Sequence, residues 1–254
     1  GRTALQVARL DHANRLAGRG VSGMVTVPGE SGWHPVHSLA VCLGEHPEVV
    51  DTWEVGSVEA LGIDWMIPEN WLVGHGSLIT RDGSHIWDDL TGCISEAETR
   101  ALAQVLDEGL AVEGGRCRAT GPGTVVVAWP AQEGKPPCLP EVGQVDNMRK
   151  FFAAHRDPSY DMVEALCSKA ELVLQEHSVN TVRVDLRENP ANGLWISHIG
   201  RAVHPDPSSV LRADVGLVAD SPIARGVARL ASVGIVPMGK IWGEEPGSPW
   251  KIQP

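Results

Sequence analysis

Basic residues are in the minority: 21 Lys and Arg stand against 32 Asp and Glu, a formal net charge of −11. A protein that grips a phosphate backbone needs a basic face, so this balance argues against nucleic acid as a partner, though a local basic pocket for a small anion remains open. No apolar run has membrane-spanning length, which argues against a membrane partner. No signal-peptide pattern opens the chain. The five cysteines are odd in number, widely spaced and never Cys-x-x-Cys, and they read as free thiols in a reducing compartment. The expectation is a cytoplasmic protein. Phe and Tyr are nearly missing, with two and one copies, and nine Trp carry most of the aromatic bulk.

What is there is an ordinary globular composition, 43% hydrophobic and 21% charged over 254 residues. Apolar spacing predicts a helix over 4–19 stopped by Gly20, a strand over Val21–Val27, and a helix or strand over Val36–Leu43. Val73–Thr80 and His85–Leu90 read as strands joined by the turn Arg81-Asp-Gly-Ser84. Ser95 with Glu98 three residues on has capping-box spacing and opens a helix to Leu110. Thr124–Trp129 is an apolar strand, and Met162–His177 is a second amphipathic helix. Strands are expected near 180–186, 193–199 and 213–219, then a helix over Ile223–Ala231 and a strand opening at Ile235. Strand–helix alternation predicts an α/β fold. The change of texture between about 52 and 209 suggests an inserted domain.

Certain stretches are too irregular for simple core packing. His177-Ser-Val-Asn-Thr-Val-Arg183 is followed by Asn189-Pro-Ala-Asn-Gly-Leu-Trp195 and by Gly200-Arg201. Gly1-Arg-Thr-Ala-Leu-Gln-Val-Ala8, Leu16-Ala-Gly-Arg-Gly20, Gly56-Ser-Val-Glu-Ala60, His75-Gly-Ser-Leu-Ile-Thr80, Ile94-Ser-Glu-Ala-Glu98 and Arg225-Gly-Val-Ala-Arg-Leu-Ala231 are of the same kind. In order and spacing this set resembles the archaeal-type cofactor-independent phosphoglycerate mutases of the alkaline phosphatase superfamily.

The resemblance implies a partial alkaline-phosphatase-like doubly wound core over 1–51 and 210–254, with an inserted α+β cap over 52–209. It implies a bimetallic centre of Mn or Zn, whose ligands would lie before Gly1 and beyond Pro254, and no metal ligand is assigned within the chain. The family's nucleophile is a serine in a Ser-Asp pair activated by metal. Here that pair is replaced by His34-Pro35, and Ser31 and Ser38 are out of register. Proline offers no side-chain ligand, and imidazole cannot form a phosphoserine.

His34 and His37 are therefore the candidate catalytic residues, as ligand, base or phosphoryl acceptor, and the other reading makes them loop histidines. His75 stands where the family carries an anion-gripping arginine, and His198 where it is usually glycine-rich. With Arg183, Asn192 and Arg201 they form the candidate substrate-binding set, since Arg and Asn orient phosphate or carboxylate groups. The bland alternative is that Asn192 bonds backbone at a turn and Arg183 pairs with a nearby acid. Asp88-Asp89, Cys93 and Asp220 read respectively as a solvated edge, a buried inert thiol and a residue at a strand's C-terminal end.

The function expected is that of a diverged phosphoglycerate mutase-like protein without ordinary mutase activity. It would bind a small phosphorylated or carboxylated metabolite, or serve a specialised biosynthetic pathway. The alternatives are a metal-dependent mutase or related phosphotransferase, and a non-catalytic partner subunit. Unpaired strand edges in an incomplete core predict a homo-oligomer or a partner.

Overall fold

The computed structural model describes residues 7–21, 34–206 and 212–236. The chain divides into two compact units, Gly1–Gly32 and Trp33–Pro254. In the first, helix α1 (Asp11–Arg19) has every residue exposed and stops at Gly20, whose N–H donates to the Leu16 carbonyl (3.0 Å). Beyond Val21, the strand expected at Val21–Val27 lies outside the described residues, as does Ser31.

The second unit begins with helices α2 (Pro35–Cys42), α3 (Pro47–Val50) and α4 (Val55–Gly62). Strands β1 (Trp71–Asp82) and β2 (His85–Asp88) precede helix α5 (Glu96–Leu110). Strands β3 (Arg116–Gly121) and β4 (Thr124–Pro130) lead to helices α6 (Met148–Ala154), α7 (Pro158–Gln175) and α8 (Ser178–Asp185). The unit continues through β5 (Gly193–Arg201), β6 (Arg212–Leu217), helix α9 (Pro222–Leu230) and β7 (Val233–Ile235).

β1 is the centre of a five-stranded sheet: it pairs antiparallel with β2, β4 and β5, and β3 adds onto β4. The apolar run Thr124–Trp129 fits a strand covered on both faces. Val125, Val127 and Trp129 join the cluster built with Leu102 and Leu106 of α5 and Leu166 and Leu174 of α7. The alternate residues Val126 and Ala128 pack with Val73 and with Ala60 of α4. A period of two thus splits one strand between two cores.

α5 starts at the expected capping box. Ser95 Oγ accepts from the Glu98 N–H (3.3 Å), and Glu98 Oε2 accepts from the Ser95 N–H (2.9 Å).

A second core gathers Val36 and Ala40 of α2, Val50, Trp53, Val55, Val58 and Val227. Its helices touch backbone to backbone. A Cβ placed on Gly62 would run into the Pro222 carbonyl, and one on Gly226 into the Val58 carbonyl. β6 and β7 pair in parallel with α9 between them, the strand–helix–strand unit of an α/β core.

One sequence reading is corrected. The strand expected near 180–186 is the helix α8. Val179, Thr181, Val182 and Val184 give the segment strand-like propensity. Tertiary structure overrides it: the His177 side chain caps the helix by accepting from the Val179 N–H (3.2 Å). Asn180 and Arg183, three residues apart, are buried on one face. β3 carried no clear strand signal in the sequence.

Candidate functional site

Where α2 begins, His34 is the N-cap and Pro35 occupies the first helical position, which suits a residue lacking an N–H. His34 Nδ1 accepts from the Val36 N–H (3.4 Å), so in the neutral ring the proton sits on Nε2. Burial, then repulsion from His198, push its pKa down to about 4, with Glu141 opposing and His75 and His37 adding to the depression. The ring is therefore neutral at pH 7 and presents an N–H donor. His37, one turn on, acts electrostatically on both His34 and Glu54.

His75 projects from β1, with Nδ1 2.7 Å from Oε2 of Glu59 on α4. That carboxylate is 6% exposed. Desolvation disfavours the imidazolium, but the hydrogen bond and charge of Glu59 outweigh it, and His75 holds its proton more firmly than a free imidazole.

His198 comes from β5 at a break in the ladder. His75 pairs with Ser197 and Val73 with Gly200, so two residues of β5 stand opposite one of β1. At this bulge His198 adopts φ 48°, the left-handed region that costs a non-glycine residue energy. Its Nε2 lies 2.7 Å from Glu141 Oε1. The His34 and His198 rings are 5.2 Å apart, and those of His75 and His198 6.4 Å.

Beside this cluster opens a cleft of about 390 Å³ lined by Thr52, Glu54, Lys135, Cys138, His198 and Arg201 among others. Burial holds the Glu54 carboxyl above its ordinary range, against the pull of His198 and His37. Lys135 and Arg201 supply positive charge at the rim.

The structure thus brings together His34, His75 and His198, with His37 and Arg201 alongside. Arg183 and Asn192 stand elsewhere. Arg183 is 2% exposed. Its guanidinium pairs with Glu98 (3.0 Å) and Glu188 (3.2 Å) and donates to the carbonyls of Asn189 (2.8 Å) and Thr91 (2.7 Å). Every face of the fork is engaged inside the protein. Asn192 accepts from the Arg81 N–H (2.8 Å) and donates to its carbonyl (3.0 Å), splicing the start of β5 to β1.

Asp88 accepts from the N–H groups of Leu90 (2.9 Å) and Gly92 (2.7 Å) and from Asn189 Nδ2 (2.7 Å). These bonds outweigh desolvation and hold its pKa down. The aspartate organises the Thr91–Cys93 turn, whose three residues all have positive φ. Asp220 is exposed just ahead of α9.

The sequence reading missed Glu54, Glu59 and Glu141. Glu59 had a signal: it is the lone charge in the otherwise apolar helix Val-Gly-Ser-Val-Glu-Ala-Leu-Gly. Glu141 sits in a Pro- and Gly-rich segment whose path no pattern reveals.

Among the described residues no three His, Cys, Asp or Glu side chains are placed to hold a metal ion. The histidine cluster does not fit Mn or Zn, since His75 and His198 already face carboxylates and the rings are widely spaced. No helix among the described residues is long and apolar enough to cross a membrane.

No family model matches the chain. It is 28% identical over 202 residues to the 2,3-bisphosphoglycerate-independent phosphoglycerate mutase of Methanosarcina acetivorans, covering 77% of this chain and 49% of that one. The Thermococcus kodakarensis enzyme of the same name is 28% identical over 249 residues, covering 90% of this chain and 57% of that one. Among solved structures, the cofactor-independent phosphoglycerate mutase of Thermoplasma acidophilum superposes with a TM-score of 0.53 at 20% identity, over 81% of this chain and 57% of that one. A Pyrococcus horikoshii protein superposes with a TM-score of 0.57 at 19% identity, over 83% and 49% respectively. The chain spans about half the length of the curated relatives named here. The resemblance read from the sequence is thereby borne out: the chain is similar to these phosphoglycerate mutases and shares the mixed helix-and-sheet fold of the cofactor-independent phosphoglycerate mutase of Thermoplasma acidophilum.

Proposed function

We propose that this chain is a diverged phosphoglycerate mutase-like protein whose cleft beside the histidine cluster binds a small phosphorylated or carboxylated metabolite. The observation that carries the reading is the meeting of His198, Lys135 and Arg201 on one cleft, with the rings of His34 and His75 5.2 Å and 6.4 Å from that of His198. A neutral His34 offers its Nε2–H without the desolvation cost of a buried cation, and the rim cations offset the ligand's charge. On this reading His34 is a donor to the ligand and not a phosphoryl acceptor, because its proton occupies the nitrogen that would attack. On this proposal the segments 1–51 and 210–254 belong with the phosphatase-like core and 52–209 with the cap, and the protein associates with a second copy or a partner.

Calorimetry with 3-phosphoglycerate tests the binding: micromolar to millimolar affinity, lost in R201A and weakened in K135A, is expected, and affinity unchanged in both variants overturns the reading. A second reading, metal-dependent mutase activity, is favoured by the homology to enzymes of that name. Interconversion of 2- and 3-phosphoglycerate that depends on added Mn would establish it.

A further inference from the structure

We propose that Glu59 and His75 form a carboxylate–imidazole dyad, with His75 Nε2, on a ring 6.4 Å from that of the cleft-lining His198, exchanging a proton with a molecule bound there or with its water. The inference rests on the binding reading above for its ligand, but the dyad itself stands on geometry.

Glu59 is a nearly buried carboxylate, 6% exposed, and among the described residues its side chain has one hydrogen-bonding partner, His75 Nδ1 at 2.7 Å. A carboxylate cannot donate, so the bond requires the proton on Nδ1. That fixes the tautomer and leaves Nε2 as the atom that gains or loses a proton, the arrangement in which an acid orients an imidazole for general acid–base work. No protein group among the described residues engages Nε2, and the side chain keeps 18% of its surface open.

The dyad is also rigid. Every residue of α4 is buried. Gly56 lets that helix approach β1 so closely that a Cβ there would strike the Gly74 and His75 backbone. The acid is on one element and the base on the other, and neither can withdraw.

The surrounding charges suit the role. Glu59 comes from α4, His198 from β5, Glu141 from the segment before α6, and His34 from the start of α2. The two carboxylates favour the imidazolium, and neutral His34 does not oppose it. In the step itself, Nε2 takes the proton of a hydroxyl or water in the cleft. The O–H bond breaks, an N–H bond forms, and Glu59 offsets the charge of the imidazolium. Return of that proton to an oxygen of the ligand restores the neutral ring.

Two measurements on the full chain test this. Long-range proton–nitrogen NMR correlations should show Nδ1 protonated throughout and Nε2 titrating, and E59Q should lower the His75 pKa. A neutral ring protonated on Nε2, or a pKa unmoved in E59Q, overturns the dyad. The second is calorimetry with 3-phosphoglycerate in two buffers of different ionisation enthalpy. The wild-type heat should vary with buffer, and in E59Q, which leaves every residue assigned to binding in place, the pH at which it varies should move down. Buffer dependence with a pH profile unmoved in E59Q overturns the proton exchange. Absence of any binding by the wild type would count against the binding reading, and the NMR titration would still decide the dyad.

Discussion

Glu98 closes the capping box of α5 and, through its other oxygen, receives Arg183 Nη1 at 3.0 Å, so one carboxylate ties a helix start to a helix far along the chain. The same arginine also binds the Thr91 and Asn189 carbonyls, making this corner a hub of the scaffold. Removing the cation leaves the buried-side carbonyls of Thr91 and Asn189 without their donor, while Glu98 and Glu188, 30% and 50% exposed, are still reached by water. R183M should therefore cost about 2–3 kcal/mol, measured by urea unfolding. A ligand-binding role for Arg183 predicts instead a stable protein with weakened affinity for 3-phosphoglycerate.

The left-handed backbone of His198 should respond to substitution in a way that separates strain from chemistry. Glycine accepts that conformation freely and a β-branched residue does not. H198G should keep or raise the thermal midpoint while losing anion affinity. H198V should lose affinity and about 1–3 kcal/mol of stability.

His34 makes stability fall in acid. Its folded pKa is about 4, below the free value of 6.5. Between those values the unfolded chain takes up a proton that the folded one refuses, so the stability it contributes above pH 6.5 is lost as pH falls. His75, with its raised pKa, works in the opposite direction: its contribution is present at low pH and lost as pH rises through the folded pKa. Comparing wild type with H34N isolates the first effect, because Asn still caps the helix. The drop in urea midpoint from pH 7 to pH 5 should be smaller in H34N.

Thiol titration should find three reactive cysteines in the native protein and five in denaturant. Cys42 and Cys138 are exposed, and so is Cys93, expected to be buried but carried on the positive-φ turn Thr91–Cys93, whereas Cys117 and Cys167 are buried. Burial raises the pKa of both buried thiols, that of Cys167 to about 12, which suppresses the reactive thiolate. Rapid reaction of all five would contradict this packing.

The elements with a local cause were legible in the sequence. Ser95 and Glu98 mark a helix start through bonds three residues apart, and Arg81-Asp-Gly-Ser84 marks a hairpin through turn chemistry. α8 was misread because its β-branched residues speak for a strand, while the bonds of Asn180 to the Leu174 and Ala191 carbonyls decide for the helix. At the site, the histidines could be singled out by residue type, but their carboxylate partners could not. Glu59 and His75 meet because α4 lies on β1, and His198 with Glu141 because a bulge turns one ring. Arg183 and Asn192 look like anion binders in a list of residues and act as backbone splints in space.

The glycine contacts between α4 and α9 bear on how the molecule assembles. Gly62 against Pro222 and Gly226 against Val58 join segments separated by the whole five-stranded sheet. Closing so large a loop is entropically slow, whereas the hairpin β1–β2 and the neighbouring pair β3–β4 form from nearby residues. The sheet should accordingly mature first and the α4–α9 seam last. Hydrogen exchange would then find the seam opening most readily, and a methyl group at Gly226 would hasten unfolding while leaving the early refolding rate almost untouched.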